Sequence, residues 1–125
     1  IMLTKDVTVQ RACHLMADRF VGSVLVVDDS ERLLGIFTGR DAVRSLAKGL
    51  DAGTTAVGSV MTKDPVTISP TSSAIDALRL MWDGGFRHLP VVEDGRIWGV
   101  ISRSDFKGIE IDRLDHERHL WETIR

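Results

Sequence analysis

The sequence predicts an α+β fold built from two copies of one small unit. The main observation is an internal repeat, since residues 24–41 match residues 89–105 almost position by position. The second copy is shorter by one residue in its turn, where Glu31 is the extra residue of the first copy. Each copy also passes from a helical to a β-rich hydrophobic pattern. Upstream, the match continues through identical pairs: Ala12 and Ala77, Leu15 and Leu80, Met16 and Met81, and Asp18 and Asp83.

Length and charge limit what the chain can be. Its 125 residues carry a net charge of −2 with a pI near 6.1, which argues against electrostatic binding of nucleic acid or of an anionic membrane. Cys13 is the single cysteine, so an intramolecular disulfide and a cysteine-based zinc site are excluded. No apolar run approaches the roughly 18 residues of a membrane span, and no signal peptide is visible. We therefore expect a cytoplasmic protein.

Apolar residues at helical spacing predict a first helix in each copy. Thr8 and Ser73, or the hydroxyl residues just before Ser73, are suited to cap these helices. The residues expected on the buried face are Val9, Ala12, Cys13, Met16 and Phe20 in the first copy, and Ile75, Leu78, Met81 and Trp82 in the second.

Two strands and a second helix follow in each copy. The strands are predicted at residues 24–27 and 33–37, and again at 89–92 and 97–101, with an acidic turn between each pair. The second helix begins after Thr38 or Ser102. These elements predict repeat 1 at residues 1–50, a linker at 51–59, repeat 2 at 60–109 and an amphipathic tail helix at 110–125. Two units of about 60 residues each are too small to bury their own faces well, so we expect them to pack together.

The segment Val-Met-Thr at residues 60–62 precedes the second copy and has no counterpart in the first. We expect that counterpart to lie upstream of Ile1, and the chain to be a trimmed fragment.

Residues 35–41 and 99–105 share the form Gly-apolar-apolar-Thr/Ser-x-x-Asp. One explanation is structural, because a hydroxyl residue followed three positions later by an acid is close to a capping box. Thr38 would then cap the second helix, while Asp41 would bond back to the chain and favour the helix dipole. Capping alone accounts for both copies.

The same geometry also supports a binding function. A strand that ends at a helix N-terminus offers free N–H groups to an anion, and a Thr or Ser hydroxyl there can donate to phosphate. A carboxylate one turn into the helix can accept from both hydroxyls of a ribose. Arg40 or Arg103 lies between these residues and can add a cation.

These features together resemble a tandem pair of CBS domains, known as a Bateman module. The resemblance rests on the duplicated unit, the segment 60–62, the segment Arg-His-Leu-Pro-Val at 87–91 and the two motifs, and it covers residues 2–109. It implies two repeats related by pseudo-two-fold symmetry. It also implies an adenosine-containing ligand (AMP, ADP, ATP, NAD or S-adenosylmethionine) in the cleft between them. Such modules usually sense energy or metabolite levels and associate as dimers.

The resemblance assigns roles to residues of a first pocket. Asp41 would hold the ribose hydroxyls, Thr38 the phosphate, and Ile36 would lie against the adenine. Arg87 and His88 of the second copy would face the phosphates across the cleft. If His88 does so, binding should depend on pH.

The second pocket would use the equivalent residues Asp105, Ser102 and Val100. Its residues across the cleft would be Gly22 and Ser23, which replace the pair formed by Arg87 and His88. This pocket thus lacks the cationic pair, although Arg103 or Lys107 can compensate. We therefore expect a charged phosphate tail in the Asp41 pocket.

The predicted function is regulatory, through binding of an adenine nucleotide that is not transformed. The sequence offers no activated nucleophile and no assembled acid–base pair, so we do not expect an enzyme. Ligand would favour one arrangement of the repeats, or of two protomers, and pass this bias to an unidentified partner or attached domain. The main alternative is a dimerisation and scaffold module whose motifs are only helix caps. RNA binding is a weaker alternative, because the net charge is negative.

Overall fold

A computed structural model describes residues 1–106 of the chain. Lys107 and the predicted tail helix at 110–125 lie outside the described residues. Within residues 1–106, no helix is both long enough and apolar enough to cross a bilayer.

The first copy builds a four-stranded sheet in the order β1-β2-β3-β4. Strand β1 (Met2–Thr4) runs parallel to β2 (Ser23–Val27), and β2 runs antiparallel to β3 (Leu33–Thr38). The short strand β4 (Thr62–Lys63) pairs antiparallel with β3, although it follows the first copy in sequence. Every residue of β2 is buried, because it lies inside the sheet with strands on both sides.

Three helices pack on or beside this sheet. Helix α1 (Val9–Arg19) begins after Thr8, whose Oγ1 accepts a hydrogen bond from the Arg11 N–H at 3.2 Å, as the sequence predicts. Helix α2 (Gly39–Ala47) follows β3 directly, and α3 (Val57–Val60) is a single turn. The core of the first copy consists of Val9, Ala12, Met16, Val24, Val26, Phe37 and Val57.

The second copy repeats the order of elements with a smaller core. Helix α4 (Ala74–Gly84) begins after Ser73, whose Oγ accepts from the Asp76 N–H at 3.1 Å, so this cap is also confirmed. Strands β5 (His88–Glu93) and β6 (Arg96–Ser102) pair antiparallel, and the 3-10 helix Arg103–Phe106 follows. The buried residues of this core are Ile68, Ala77, Met81, Leu89 and Val91.

The prediction that Phe20 belongs to the buried face of α1 is wrong. Its φ angle is 53°, in the left-handed region, and its side chain is 97% exposed. At this position the chain leaves the helix, because the N–H groups of Phe20 and Val21 bond back to the carbonyls of Ala17 and Met16. The reversal points the ring away from the core that the rest of the helix covers.

Two residues predicted on the buried face of α4 are also exposed. Ile75 is 63% and Trp82 is 53% exposed, whereas Ala77 and Met81 are buried. The second core is small and covers only the centre of that face. The flanks of the face therefore remain on the surface.

Gly35 allows β4 to join the first sheet. A Cβ atom at this position would lie 2.6 Å from both the Met61 Sδ and the Thr62 carbonyl oxygen, which is closer than real Cβ atoms approach. At the equivalent Gly99, no atom of the described chain lies within 4 Å of such a Cβ. Within the described residues, the first glycine of the shared motif is thus closely packed in the first copy and open in the second.

Candidate functional site: two cavities between the repeats

The first cavity lies between α2 and the start of β5 and has a volume of about 490 Å³. The structure places in its lining all six residues that the sequence assigns to the first pocket, namely Ile36, Thr38, Arg40, Asp41, Arg87 and His88. Four of these come from the first copy and two from the second. The cavity is therefore a cleft between the repeats, as the resemblance implies.

The carboxylate of Asp41 is the most constrained group of this cleft. The residue is only 4% exposed. Its Oδ2 accepts from the Thr38 N–H at 2.9 Å and from the Thr38 hydroxyl at 3.2 Å, so the capping interaction predicted from the sequence is present. Its Oδ1 accepts from the Thr62 hydroxyl at 3.1 Å. Because Oδ1 has fewer donors among the described residues, it is the oxygen better able to accept from a ligand.

Three arginines and two carboxylates surround this cleft. Arg40 and Arg44 are exposed residues of α2, and Arg87 approaches from the second copy. Asp41 and Asp64 supply the negative charges. Three guanidinium groups against two carboxylates leave a positive formal charge in the lining of the cleft. The cleft therefore suits an anion.

His88 is half-buried at the junction of the two copies. Burial lowers the pKa of His88 below its usual value, the Arg87 guanidinium lowers it further, and the Asp105 carboxylate partly opposes both effects. The imidazole is consequently biased toward its neutral form. An anion placed in the cleft would favour the charged form.

A second cavity, of about 740 Å³, lies on the other side of His88. It collects Val100, Ser102, Asp105, Gly22 and Ser23, which are the residues that the sequence assigns to the second pocket. Arg103 is not among its lining residues. The Arg103 guanidinium instead lies over the ring of Trp82, 5.1 Å from the ring centroid. The compensation expected from Arg103 is therefore absent in this arrangement.

Asp105 forms the same local bonds as Asp41 but is exposed. Its Oδ2 accepts from the Ser102 N–H at 2.8 Å and from the Ser102 hydroxyl at 3.3 Å. In the described part of the chain it has no equivalent of the bond from Thr62. The second motif therefore forms a cap without the additional donor that the first motif receives.

The two cavities share a wall formed by Gly22 and His88. A Cβ atom at Gly22 would lie 2.8 Å from the Nε2 atom of His88, so a larger residue there would displace this imidazole. The sequence assigns Gly22 to one pocket and His88 to the other, whereas both residues line both cavities. A change in the charge or position of this imidazole therefore reaches both sites.

Sequence reasoning missed three polar residues of the first cleft, namely Arg44, Thr62 and Asp64. Thr62 lies in the segment 60–62, which was read only as part of the repeat pattern, and its hydroxyl bonds to Asp41 across the β3–β4 pairing. Arg44 follows Arg40 by one helical turn, which places both on the same face of α2. That spacing was available in the sequence, whereas the contact of Thr62 depends on strand pairing.

Neither the single cysteine nor a cluster of metal-ligating residues indicates a reactive site among the described residues. Burial raises the pKa of the Cys13 thiol, so it is less nucleophilic than a free cysteine at neutral pH. Among residues 1–106, no group of three or more His, Cys, Asp or Glu residues is arranged to hold a metal ion.

The comparisons with a family model and with known proteins agree on one family. The model of the CBS domain matches residues 1–48 and 57–110. The CBS domain-containing protein CBSCBSPB2 of Arabidopsis thaliana is 45% identical over 103 residues, which make up 82% of this chain and 19% of that protein. The chain thus spans about a fifth of the length of this relative.

Solved structures show the same architecture. The CBS-domain protein ATU1752 of Agrobacterium tumefaciens superposes with a TM-score of 0.82 at 33% identity, and 88% of each chain is covered. PAE2072 of Pyrobaculum aerophilum, solved in complex with AMP, gives a TM-score of 0.79 at 24% identity, covering 85% of this chain and 82% of that one. At that identity the likeness shows the fold alone.

Proposed function

The chain belongs to the CBS domain family, and we propose that it is a regulatory module that binds an adenine nucleotide in the cleft beside Asp41. The observation that carries this proposal is the joint placement of an acceptor carboxylate and three arginines in one inter-repeat cavity. A volume of about 490 Å³ is in the range of small-molecule and cofactor sites. In this arrangement Asp41 accepts from the ribose and the arginines bind the phosphates.

Regulation would follow from the composition of the cleft. Its lining comes from both copies, so a bound nucleotide contacts both and favours one relative arrangement of them. An attached or partner domain would respond to that arrangement. The bound AMP of PAE2072 belongs to that protein and guides only the choice of ligands to test here. We propose no chemical step on the ligand.

A second candidate function is a dimerisation scaffold in which the two motifs act only as helix caps. The specific observation in its favour is that both motifs form the cap hydrogen bonds within the chain, through Asp41 in one copy and Asp105 in the other. Exposed apolar residues on the helices supply a surface for a partner. These are Val43 and Leu46 on α2, and Ile75, Leu80 and Trp82 on α4.

The test is a thermal-shift panel with AMP, ADP, ATP, NAD and S-adenosylmethionine. A ligand at 100 times its dissociation constant adds about 2.7 kcal/mol, which raises Tm by several degrees for a domain of this size. The informative variant is Arg87→Gln, because Arg87 lines the cleft but is exposed and forms no part of either cap. It should leave the Tm without ligand unchanged and reduce the shift with AMP.

Arg79→Gln is the matched control, because Arg79 is exposed and lines neither cavity. It should keep the AMP shift. The scaffold function is favoured instead if no ligand changes Tm for the unaltered chain. The homodimer, the existence of a regulated partner and the cytoplasmic location stay predictions.

A further inference from the structure

We propose that Thr62 is a second ribose-binding residue of the first cleft, and that it shares the two hydroxyls of a bound nucleotide with Asp41. One hydroxyl would donate to Oδ1 of Asp41, and its neighbour would donate to Oγ1 of Thr62. This inference rests on the proposed function for the ligand and the cleft. It adds a residue that distinguishes ribose from deoxyribose.

The hydrogen bonds of Asp41 engage its two oxygens unequally. Oδ2 accepts from the N–H and the hydroxyl of Thr38, at 2.9 and 3.2 Å, and lies 3.4 Å from the Thr62 hydroxyl. Among the described residues, Oδ1 accepts from the Thr62 hydroxyl alone, at 3.1 Å. Each carboxylate oxygen accepts about two hydrogen bonds. Oδ1 can therefore take one ligand hydroxyl, whereas a second hydroxyl at Oδ2 would have to displace a donor of the chain.

The Thr62 hydroxyl supplies the second acceptor. An ionised carboxylate only accepts, so the Thr62 hydroxyl donates its proton to Asp41. A hydroxyl also has two lone pairs, and these stay able to accept from a ligand. Oγ1 of Thr62 and Oδ1 of Asp41 lie 3.1 Å apart, close to the separation of the two oxygens of a cis-diol. Each ribose hydroxyl can thus meet an acceptor of its own.

The position of Thr62 makes it the more accessible of the two residues. Asp41 is only 4% exposed, whereas Thr62 is exposed and also lines the first cleft. Strand pairing holds Thr62 there, because it is the partner of Ile36 in the register of β3 and β4, and Ile36 lines the same cleft. A ligand that reaches Asp41 therefore also meets the Thr62 hydroxyl.

The experiment measures the affinities of AMP and of its 2′-deoxy and 3′-deoxy forms by isothermal titration calorimetry. Each missing hydroxyl should weaken binding to the unaltered chain by about tenfold. Thr62→Val should weaken AMP binding by about the same factor. One of the two deoxynucleotides should then bind the variant as tightly as AMP does, because the hydroxyl that it lacks has lost its acceptor. The other should keep its penalty, because its missing hydroxyl is the one that bonds to Asp41.

Two control variants separate the hydroxyl from the strand that carries it. Valine retains the β-branched shape that suits β4, and the Tm without ligand verifies that each variant folds. Thr62→Ser keeps the hydroxyl and should retain both penalties. Thr67→Val makes the same change at an exposed threonine that lines neither cavity, and it should bind all three nucleotides as the unaltered chain does.

The outcomes separate this inference from the proposed function. The inference is overturned if neither missing hydroxyl weakens binding to the unaltered chain. It is also overturned if Thr62→Val leaves both penalties unchanged, or reduces both equally, as a residue that only positions Asp41 would do. The proposed function then still stands, provided that AMP binds the unaltered chain and that Arg87→Gln weakens this binding. If AMP does not bind the unaltered chain, both are overturned.

Discussion

The two copies of the Gly-apolar-apolar-Thr/Ser-x-x-Asp motif form the same local structure in different surroundings. Asp41 and Asp105 each accept from the N–H and the hydroxyl of the residue three positions earlier. Asp41 is 4% exposed and receives a further bond from Thr62, whereas Asp105 is exposed. The motif therefore determines the cap, and strand β4, which follows the first copy in sequence, adds a further donor to the carboxylate of that copy.

The largest expected difference between the copies is the cost of removing each aspartate. Asp41→Ala removes a buried carboxylate together with its part-buried hydrogen bonds from the Thr38 N–H and the Thr62 hydroxyl, which should cost about 2–3 kcal/mol. Asp105→Ala removes an exposed cap and should cost about 0.5–1 kcal/mol. Urea unfolding of both variants measures the two values. Equal costs would show that Thr62 adds nothing to the first copy.

The paired glycines give the next largest difference. Gly35→Ala forces the new Cβ against Met61 and the backbone of Thr62, so β4 must move, at a cost of about 1–3 kcal/mol. Gly99→Ala meets no described atom within 4 Å and should be neutral.

Thermal unfolding compares the two glycine variants, and AMP binding gives a second measurement. If Gly35→Ala displaces Thr62 from Asp41, it should also weaken binding in the first cleft. An alanine tolerated equally at both positions would contradict the packing argument.

Substitutions at the C-terminal ends of α1 and α4 should change the stability of the fold in opposite directions. Gly85→Ala places a side chain at a φ of 70°, where it meets no atom but strains the backbone, and should cost about 1 kcal/mol. Phe20→Gly relieves the same conformation in the first copy and should stabilise by a smaller amount. Differential scanning calorimetry measures both changes. A destabilising Phe20→Gly would mean that the ring packs on the fold in solution.

The pH dependence of stability tests the shared wall between the cavities. The pKa of His88 is lowered in the folded chain, so the unfolded chain binds the proton more readily. Stability should therefore be full above about pH 6.5, the usual value for histidine, and fall as the pH drops below it. His88→Gln should reduce this dependence. Arg87→Gln should reduce it partially, because Arg87 contributes to the lowering.

A phosphate group bound in the first cleft should oppose the preference of the folded chain for the neutral form of His88. An anion in the first cleft favours protonated imidazole, so AMP affinity should increase as the pH falls toward the pKa of His88. Calorimetry in buffers of different ionisation enthalpy measures the proton uptake that accompanies binding. Binding of AMP without proton uptake near pH 6 would place the phosphate away from His88.

The smallest expected effect on stability concerns the exposed face of α2. Leu46→Asp changes a residue that is 72% exposed, so the monomer should change by less than about 0.5 kcal/mol. If α2 contributes to a homodimer, the variant should become monomeric in light scattering coupled to size-exclusion chromatography. Lys48→Gln at the C-cap of α2 is the charge control, because it also lowers the net charge by one unit, and it should leave the oligomeric state unchanged.

Much of the site could be predicted from the repeat and the family resemblance. The family resemblance is confirmed, and the strands, the first helices and the caps at Thr8 and Ser73 lie where the patterns predict them. The residues that the family resemblance and the two motifs assign to each pocket line a common cavity, with the exception of Arg103. Arg103 lies outside the second cavity because its guanidinium stacks over the ring of Trp82 on α4, which is a tertiary contact.

The errors have a common cause. Phe20, Ile75 and Trp82 were placed on buried faces because helical periodicity reports which residues share a face. Periodicity does not report how wide the core beneath that face is, nor where the chain reverses. Both depend on the packing of residues distant in sequence.

The sequence by itself determined the duplication, the order of the elements and the local caps, because these depend on residues within a few positions of one another. Tertiary structure alone decided that β4 joins the sheet of the first copy and that Thr62 reaches Asp41. It also placed His88 between two cavities. These outcomes rest on strand pairing and close packing between distant segments, and the physical chemistry of either segment alone does not specify them.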